Sequence, residues 1–220
     1  MTIIEHLNSS IPEYETTLPI SKETVSFSPF RVKDAKAITT ILQEDNKKLA
    51  LKNMVELLKT YTKGTDIEDL CLADAEHLFL QVRSKSVDEI LNLIYNGKKV
   101  QININEIKAR NESCEEEIKV GNDITLVLST PKLKNILRLN SLDKEELIKA
   151  CIQKVVVKNE IYKVNKFVTE EIKQIIENLP LSILPKIEMF LKKQPELYLS
   201  LQLEEEQKEV SGILNFFTFR

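Results

Sequence analysis

Residues 72–107 read LADAEHLFLQVRSKSVDEILNLIYNGKKVQININEI, and the change of period inside this stretch decides the fold class. At its start Leu72, Ala75, Phe79 and Val82 recur at helical spacing and form one apolar stripe. At its end Val100, Ile102 and Ile104 alternate with Gln101, Asn103 and Asn105, as in a half-buried strand, after the tight-turn signal Asn96-Gly97. Between the two, Ser86 and Glu89 have capping-box spacing, which predicts a further helix with Val87, Ile90, Leu91 and Ile94 inward. Helical and alternating runs are separate rather than regularly interleaved. The expected class is α+β, helical segments packed with small antiparallel sheets.

Upstream, residues 13–32 hold Pro19, alternating Val25 and Phe27, then Ser28-Pro29-Phe30, which reads as an extended arm or short hairpin leading into a helix. From Lys33 the positions Ala35, Ile38, Ile41 and Leu42 are helical. After the polar break 45–48 the period resumes with Leu51, Met54, Val55 and Leu58, until Gly64-Thr65-Asp66 ends it. Residues 33–95 are thus expected to be mainly helical.

Downstream, Ile118 and Val120, the Gly121-Asn122 turn, then Ile124, Leu126 and Leu128 predict two strands closed by Thr130-Pro131. Ser141 is a candidate N-cap for a helix carrying Leu147, Ile148, Cys151 and Ile152. Val155 to Tyr162 reads as a hairpin around Lys158-Asn159-Glu160. Ile172, Ile175, Ile176 and Leu179 mark a helix, Pro180 breaks it, and Ile183, Ile187, Phe190 and Leu191 mark the next. Leu197, Leu199, Leu201 and Leu203 then alternate strictly, and Glu204-Glu205-Glu206 turns the chain toward Val210 to Phe217. The expected organisation is an N-terminal extended arm (1–32), a helical lobe with a small sheet (33–140), and a second α+β lobe with an aromatic C-terminal tail (141–220), the two lobes closely packed.

Composition limits the chemistry. The 220 residues are 42% hydrophobic and 30% charged, enough for a genuine core, and the net charge of -3 provides no field to hold a polyanion, so nucleic-acid binding is disfavoured. Five arginines stand against twenty-six lysines, a balance that suits a solvated surface better than anchored anion sites. Residues 1–12 lack a basic start followed by an apolar run, and no stretch approaches eighteen apolar residues, so neither a secretory signal nor a membrane contact is expected. Cys71, Cys114 and Cys151 are odd in number and far apart, which suits reduced thiols in a cytoplasmic protein.

Few residues could carry a reaction. His77 has Asp74 three residues before it, a carboxylate placed to orient the imidazole, and Cys71 sits where a helix N-terminus could lower its pKa, although Asp69 and Asp74 oppose the thiolate. A small enzyme or regulatory adaptor using Cys71 or His77 is the lesser alternative, and no small-molecule substrate is expected. No Cys-x-x-Cys occurs, and adjacent carboxylates such as Glu115-Glu116-Glu117 rarely converge on one ion, so neither metal nor cofactor is expected. Both acidic runs read as solvated turns that protect sheet edges. Lys98-Lys99 and Lys192-Lys193 lack the interleaved aromatics of a nucleic-acid surface. The conspicuous feature is Phe216-Phe217-Thr218-Phe219, aromatics that either fill the protein's own core or dock into another chain.

Several segments, in order, resemble the baseplate proteins of T-even-type bacteriophages, the hub subunits and hub assembly proteins of the tail. Phe27-Ser28-Pro29-Phe30-Arg31-Val32-Lys33-Asp34-Ala35-Lys36 resembles the family's opening motif, and Leu70, Asp74, Leu78-Phe79, Val82-Arg83 and Ser84-Lys85-Ser86-Val87 its central helix and turn. Val100 to Ile107 and Ile124 to Pro131 are similar to its strands. Leu179-Pro180, Ile187, Phe190-Leu191, Pro195-Glu196-Leu197, Gly212-Ile213 and Phe216-Phe217 are similar to its closing motif. The likeness spans residues 19–217. Relatives carry Cys-x-x-Cys pairs where this chain has Tyr95-Asn96-Gly97-Lys98 and Leu201-Gln202-Leu203-Glu204, so a metal is not carried over. The resemblance implies a non-enzymatic tail protein that helps assemble the baseplate hub, or stays in the virion as a hub subunit, with other hub and tail proteins as partners. Assembly would take place in the host cell cytoplasm. The residues expected to meet partners are Phe27, Pro29 and Phe30 in the arm, and Ile213, Phe216, Phe217 and Phe219 in the tail.

Overall fold

The computed structural model describes residues 2–95, 98–158, 160–163, 169–203 and 206–212. Within them the class is α+β, with helices and small antiparallel sheets in separate runs. Two compact units divide the chain: residues 1–110 with 196–220, and residues 111–195. The divisions expected after residues 32 and 140 are not where the contacts separate. The physical reason is the strand after Pro195, which returns to pair with residues 108–110 and so closes the first unit around an insertion.

The first unit opens with a short helix, α1 (Ile3–Ser9), begun by a capping box: Glu5 N–H donates to Thr2 Oγ1 at 3.2 Å and Thr2 N–H to Glu5 Oε2 at 2.7 Å. β1 (Tyr14–Thr17) and β2 (Thr24–Phe27) follow as the expected hairpin. A 3-10 turn over Val32–Asp34 leads into α2 (Ala35–Gln43), and Asn46 then caps α3 (Lys47–Tyr61) by accepting the N–H groups of Lys48 and Leu49. Leu51, Met54, Val55 and Leu58 are all buried, as an i, i+3, i+4, i+7 stripe requires. β3 (Thr62–Lys63) adds to β2, which becomes the central strand of its sheet. α4 (Leu72–Ser86) is buried on nearly every side and packs on α3.

The helix expected from Val87 onward does not form. Ser86 is the last residue of α4, where its hydroxyl donates to Val82 O at 2.6 Å and accepts the Phe30 N–H at 2.8 Å instead of capping a new helix. Asp88 then accepts the Ile90 N–H at 3.0 Å, a local turn that starts β4 (Ile90–Tyr95). β4 pairs antiparallel with β5 (Lys98–Asn103), Leu91 opposite Ile102 and Leu93 opposite Val100. The run at 90–95 fits a helical stripe and an alternating strand equally well, and the pairing partner across the Asn96-Gly97 signal decides between them. That dipeptide itself lies outside the described residues. Ile104 falls beyond the strand, in a 3-10 turn over Ile104–Glu106, and β6 (Lys108–Arg110) follows.

The second unit is built on a four-stranded sheet in the order β10-β9-β8-β7. β7 (Glu115–Val120) and β8 (Ile124–Ser129) form the predicted hairpin, whose turn holds Gly121 at φ +66°, a left-handed conformation that suits glycine. The acidic run at Glu115–Glu117 therefore lies in an edge strand rather than a turn. A short helix, α5 (Leu133–Ile136), precedes α6 (Lys144–Cys151). The N-cap of α6 is Asp143, which accepts the Glu146 N–H at 2.9 Å; Ser141 lies too early to reach that amide and its hydroxyl donates to Asp143. β9 (Ile152–Val157) and β10 (Glu160–Lys163) form the next hairpin. α7 (Thr169–Glu177) and α8 (Leu184–Lys192) carry the predicted stripes: Ile183, Ile187 and Phe190 share one core with Ile118, Leu126, Leu128, Cys151 and Val155, and Ile172, Ile175 and Ile176 pack against it.

β11 (Glu196–Leu203) and β12 (Glu206–Ser211) return the chain to the first unit in a sheet of order β12-β11-β6. Leu197 and Leu199 are buried on the alternating face, and β11 packs on α4. Residues 204 and 205 of the second acidic run lie outside the described residues.

Candidate partner-binding surfaces

The arm from Pro19 to Phe30, expected to meet a partner through Phe27, Pro29 and Phe30, is tied into its own unit. Phe27 and Phe30 are buried. The Phe30 ring meets Tyr61 edge-on, with centroids 5.3 Å apart, and lies 5.6 Å from Phe79, while Phe27 stacks on Tyr14 at 5.9 Å. Phe27, the last residue of β2, and Phe30, three residues beyond it, thus fill the core of their own unit. Pro29 is half-buried between them. Ile213, Phe216, Phe217 and Phe219 lie outside the described residues.

Backbone hydrogen bonds complete the attachment. The carboxylate of Asp74, on α4 and only 1% exposed, accepts the N–H groups of Ile20 at 2.8 Å and Ser21 at 2.9 Å. Ser28 N–H donates to Tyr61 O at 2.9 Å, and Phe30 N–H to Ser86. A buried carboxylate needs such donors, since leaving it unpaired in a low-dielectric site costs several kcal/mol, roughly.

The same contacts decide the fate of the residues with chemical potential. Asp74 spends both oxygens on the Ile20–Ser21 backbone, and His77 meets Thr16 instead, Nε2 to Oγ1 at 3.3 Å. Burial lowers the His77 pKa below the ordinary 6.5, against the opposing charge of Asp74. Cys71 stands at the N-cap of α4, where a helix N-terminus would favour a thiolate. Burial and the negative Asp74 outweigh that and push the thiol up to about 11. Cys151, in the core of the second unit, is pushed up to about 12, mainly by burial. Among the described residues no group of His, Cys, Asp and Glu could hold a metal ion, and no helix is long and apolar enough to cross a membrane.

Of the charged runs, Glu116 pairs with Lys193 at 3.0 Å. Arg110, in β6, joins Glu196 and Glu209 and lies over the Tyr198 ring at 5.1 Å, clamping the three-stranded sheet at the point where the chain leaves for the second unit.

One exposed apolar element escaped sequence reading. The side chains of Ile3, Ile4 and Leu7 on α1 are 80%, 68% and 61% exposed. The spacing Thr2-x-x-Glu5 around two isoleucines was the available signal, a capping box at the start of an apolar stripe.

These features define a two-unit α+β protein with its amino-terminal hairpin pinned to a buried central helix. The family described as T4 bacteriophage base plate protein matches residues 11–218, nearly the whole chain, and the protein belongs to that family. Neither the curated proteins nor the solved structures give a match.

Proposed function

We propose that this baseplate protein takes part in assembling the baseplate hub through protein–protein contacts and performs no catalytic step. The observation that supports the reading most is the commitment of Asp74 to the Ile20–Ser21 backbone. Both of its oxygens accept backbone N–H groups while His77 meets Thr16, and burial together with the charge of Asp74 pushes the Cys71 thiol up to about 11. The partners would be other hub and tail proteins, met in the host cytoplasm during assembly. With Phe27 and Phe30 used internally, the tail residues Ile213, Phe216, Phe217 and Phe219 are the aromatic and aliphatic anchors that remain from the sequence.

A mass-spectrometric census of finished particles and of tail-assembly intermediates tests the proposal. Presence in intermediates and absence from particles is the expected result. Fixed stoichiometry in finished particles would instead make the chain a permanent hub subunit, and absence from both would remove the hub role. Deleting residues 213–220 should leave a folded chain that no longer joins the intermediates; an unfolded product would assign those aromatics to the core.

A further inference from the structure

We propose that this protein forms a two-fold dimer through the outer edge of β7, two copies of that strand pairing antiparallel about an axis at Ile118. The surface belongs to the second unit alone, and no part of the hub reading is needed for it.

β7 ends the four-stranded sheet, and among the described residues no strand lies beside its outer edge. Two bonds show which backbone groups point outward. Thr130 N–H donates to Cys114 O at 3.0 Å, so Cys114 faces β8, and Lys158 N–H donates to Asp123 O at 2.7 Å, which sets the same phase from the β9 side of β8. Direction alternates along an antiparallel ladder. The N–H and C=O groups of Glu116, Ile118 and Val120 therefore meet β8, and those of Glu115, Glu117 and Lys119 face away from it. The side chains of these last three are exposed, whereas those of Ile118 and Val120 are buried.

An open edge by itself accepts any strand, and the charges on this one select its own copy. Outward backbone groups meet across a two-fold axis only when the axis passes through a residue. An axis at Glu116 sets Glu115 opposite the partner's Glu117 on both sides, an axis at Glu117 brings those two carboxylates face to face, and an axis at Lys119 does the same to the two ammonium groups. An axis at Ile118 sets Glu117 opposite the partner's Lys119 and Lys119 opposite the partner's Glu117. Both outward pairs are then of unlike charge, and each exchanges two backbone hydrogen bonds. Among the described residues neither Glu117 nor Lys119 has a side-chain partner within its own copy. The acidic run thus excludes the slipped registers and leaves one.

Beside the edge lies a cleft of about 430 Å³, lined by Glu116 to Lys119 and by Lys186 and Met189 of α8. Met189 is 58% exposed. A second β7 laid along the edge enters this cleft and covers the Met189 side chain, so apolar burial adds to the pairing. Glu116 is already held by Lys193 at 3.0 Å and takes no part in the charge match.

Sedimentation velocity of the full chain over a concentration series should show a dimer that grows no further, because a two-fold contact closes on itself. Glu117→Lys turns both outward pairs into lysine–lysine and Lys119→Glu turns them into carboxylate–carboxylate, so each variant alone should associate roughly tenfold more weakly, or less still. Mixed, the two variants set lysine against glutamate at both pairs and should restore a one-to-one dimer. The double variant Glu117→Lys, Lys119→Glu exchanges the signs within one chain and should dimerise like the wild type. Both positions are exposed, so far-UV circular dichroism should not change. Hydrogen exchange gives the second readout: the amides of Glu117 and Lys119 should gain protection as concentration rises, while those of Glu116 and Ile118, already bonded to β8, should not.

A wild type that stays monomeric at every concentration overturns the proposal. So does association that is unchanged in both single variants, a mixture that stays monomeric, growth beyond two copies, or a dimer in which the Glu117 and Lys119 amides gain no protection. If a single variant loses its circular dichroism, the double variant and hydrogen exchange on the wild type decide.

Discussion

His77 occupies the one helix position where sequence suggested a proton carrier, and its surroundings give it a different role. Burial holds its pKa below 6.5 in the folded chain. As pH falls through 6.5 the unfolded chain takes up the proton first, so the stability this residue contributes is present above that value and is lost as acid approaches the folded value. The urea midpoint should therefore fall between pH 7 and the weakly acidic range, and His77→Gln should flatten that part of the profile. An unchanged slope in the variant would place the titration elsewhere. The opposite case is Glu146, buried beside Lys149, whose hydrogen bond lowers the carboxyl pKa; its contribution persists to lower pH and disappears only as the carboxylate itself protonates. At His77 burial outweighs the nearby opposite charge and penalises ionisation, and at Glu146 the direct hydrogen bond from Lys149 outweighs burial and protects it.

Among the elements, the β1–β2 hairpin is held in its connecting turn by a side chain from elsewhere in the chain, Asp74 of α4. Asp74→Ala would strand the N–H of Ile20, which is half-buried, while that of Ser21, in an exposed residue, can turn to water. The expected loss is about 2 kcal/mol of unfolding free energy, with Asp74→Asn losing about half as much. Hydrogen exchange should speed up first at Ile20 and Ser21. A loss below about 0.5 kcal/mol in urea unfolding would mean that the hairpin is held by its aromatic contacts instead.

Most elements could be read from period alone. α3 and α8 each bury one stripe and α7 packs one against the core, the hairpin at 115–129 announces itself by alternation and turn residues, and the next is legible from Val155 to Tyr162, although Ile152, expected at the end of the helix before it, begins β9. Residues 86–95 could not be read that way, because Ser86 and Glu89 imitate a cap while the strand partner lies across a turn, a long-range fact. Phe27 and Phe30 show the same limit for function. Aromatics beside a proline are equally suited to a pocket in another protein and to their own core, where Phe30 meets Tyr61 of α3 and Phe79 of α4 and Phe27 stacks on Tyr14, and only tertiary packing chooses. Asp143 was eclipsed by Ser141 because both are good caps, and only the distance to the Glu146 amide separates them.

At the scale of the whole molecule the second unit is an insertion with its own core. Its ends meet: the Asn111 side chain donates to Gln194 O at 3.0 Å, and Asn111 adopts φ +62°, a left-handed conformation that asparagine tolerates. Residues 111–195 expressed alone should therefore fold, with a cooperative urea transition and dispersed amide resonances. A fragment that binds a hydrophobic dye and melts without cooperativity would show that the remainder of the chain is needed to complete it.

The clamp at Arg110 has a kinetic consequence. Arg110 and its partner Glu196 are 86 positions apart, so during synthesis β6 leaves the ribosome long before β11 exists to pair with it. Closing so long a loop from a disordered chain is slow, since its entropy must be lost before the sheet contacts form. If residues 111–195 condense first, their joined ends shorten the effective loop to a few links and deliver β11 beside β6. The insertion would then act as a folding catalyst in cis, and a mutation that delays its condensation, such as one in the Phe190 core, should slow maturation of the first unit without touching any residue in it.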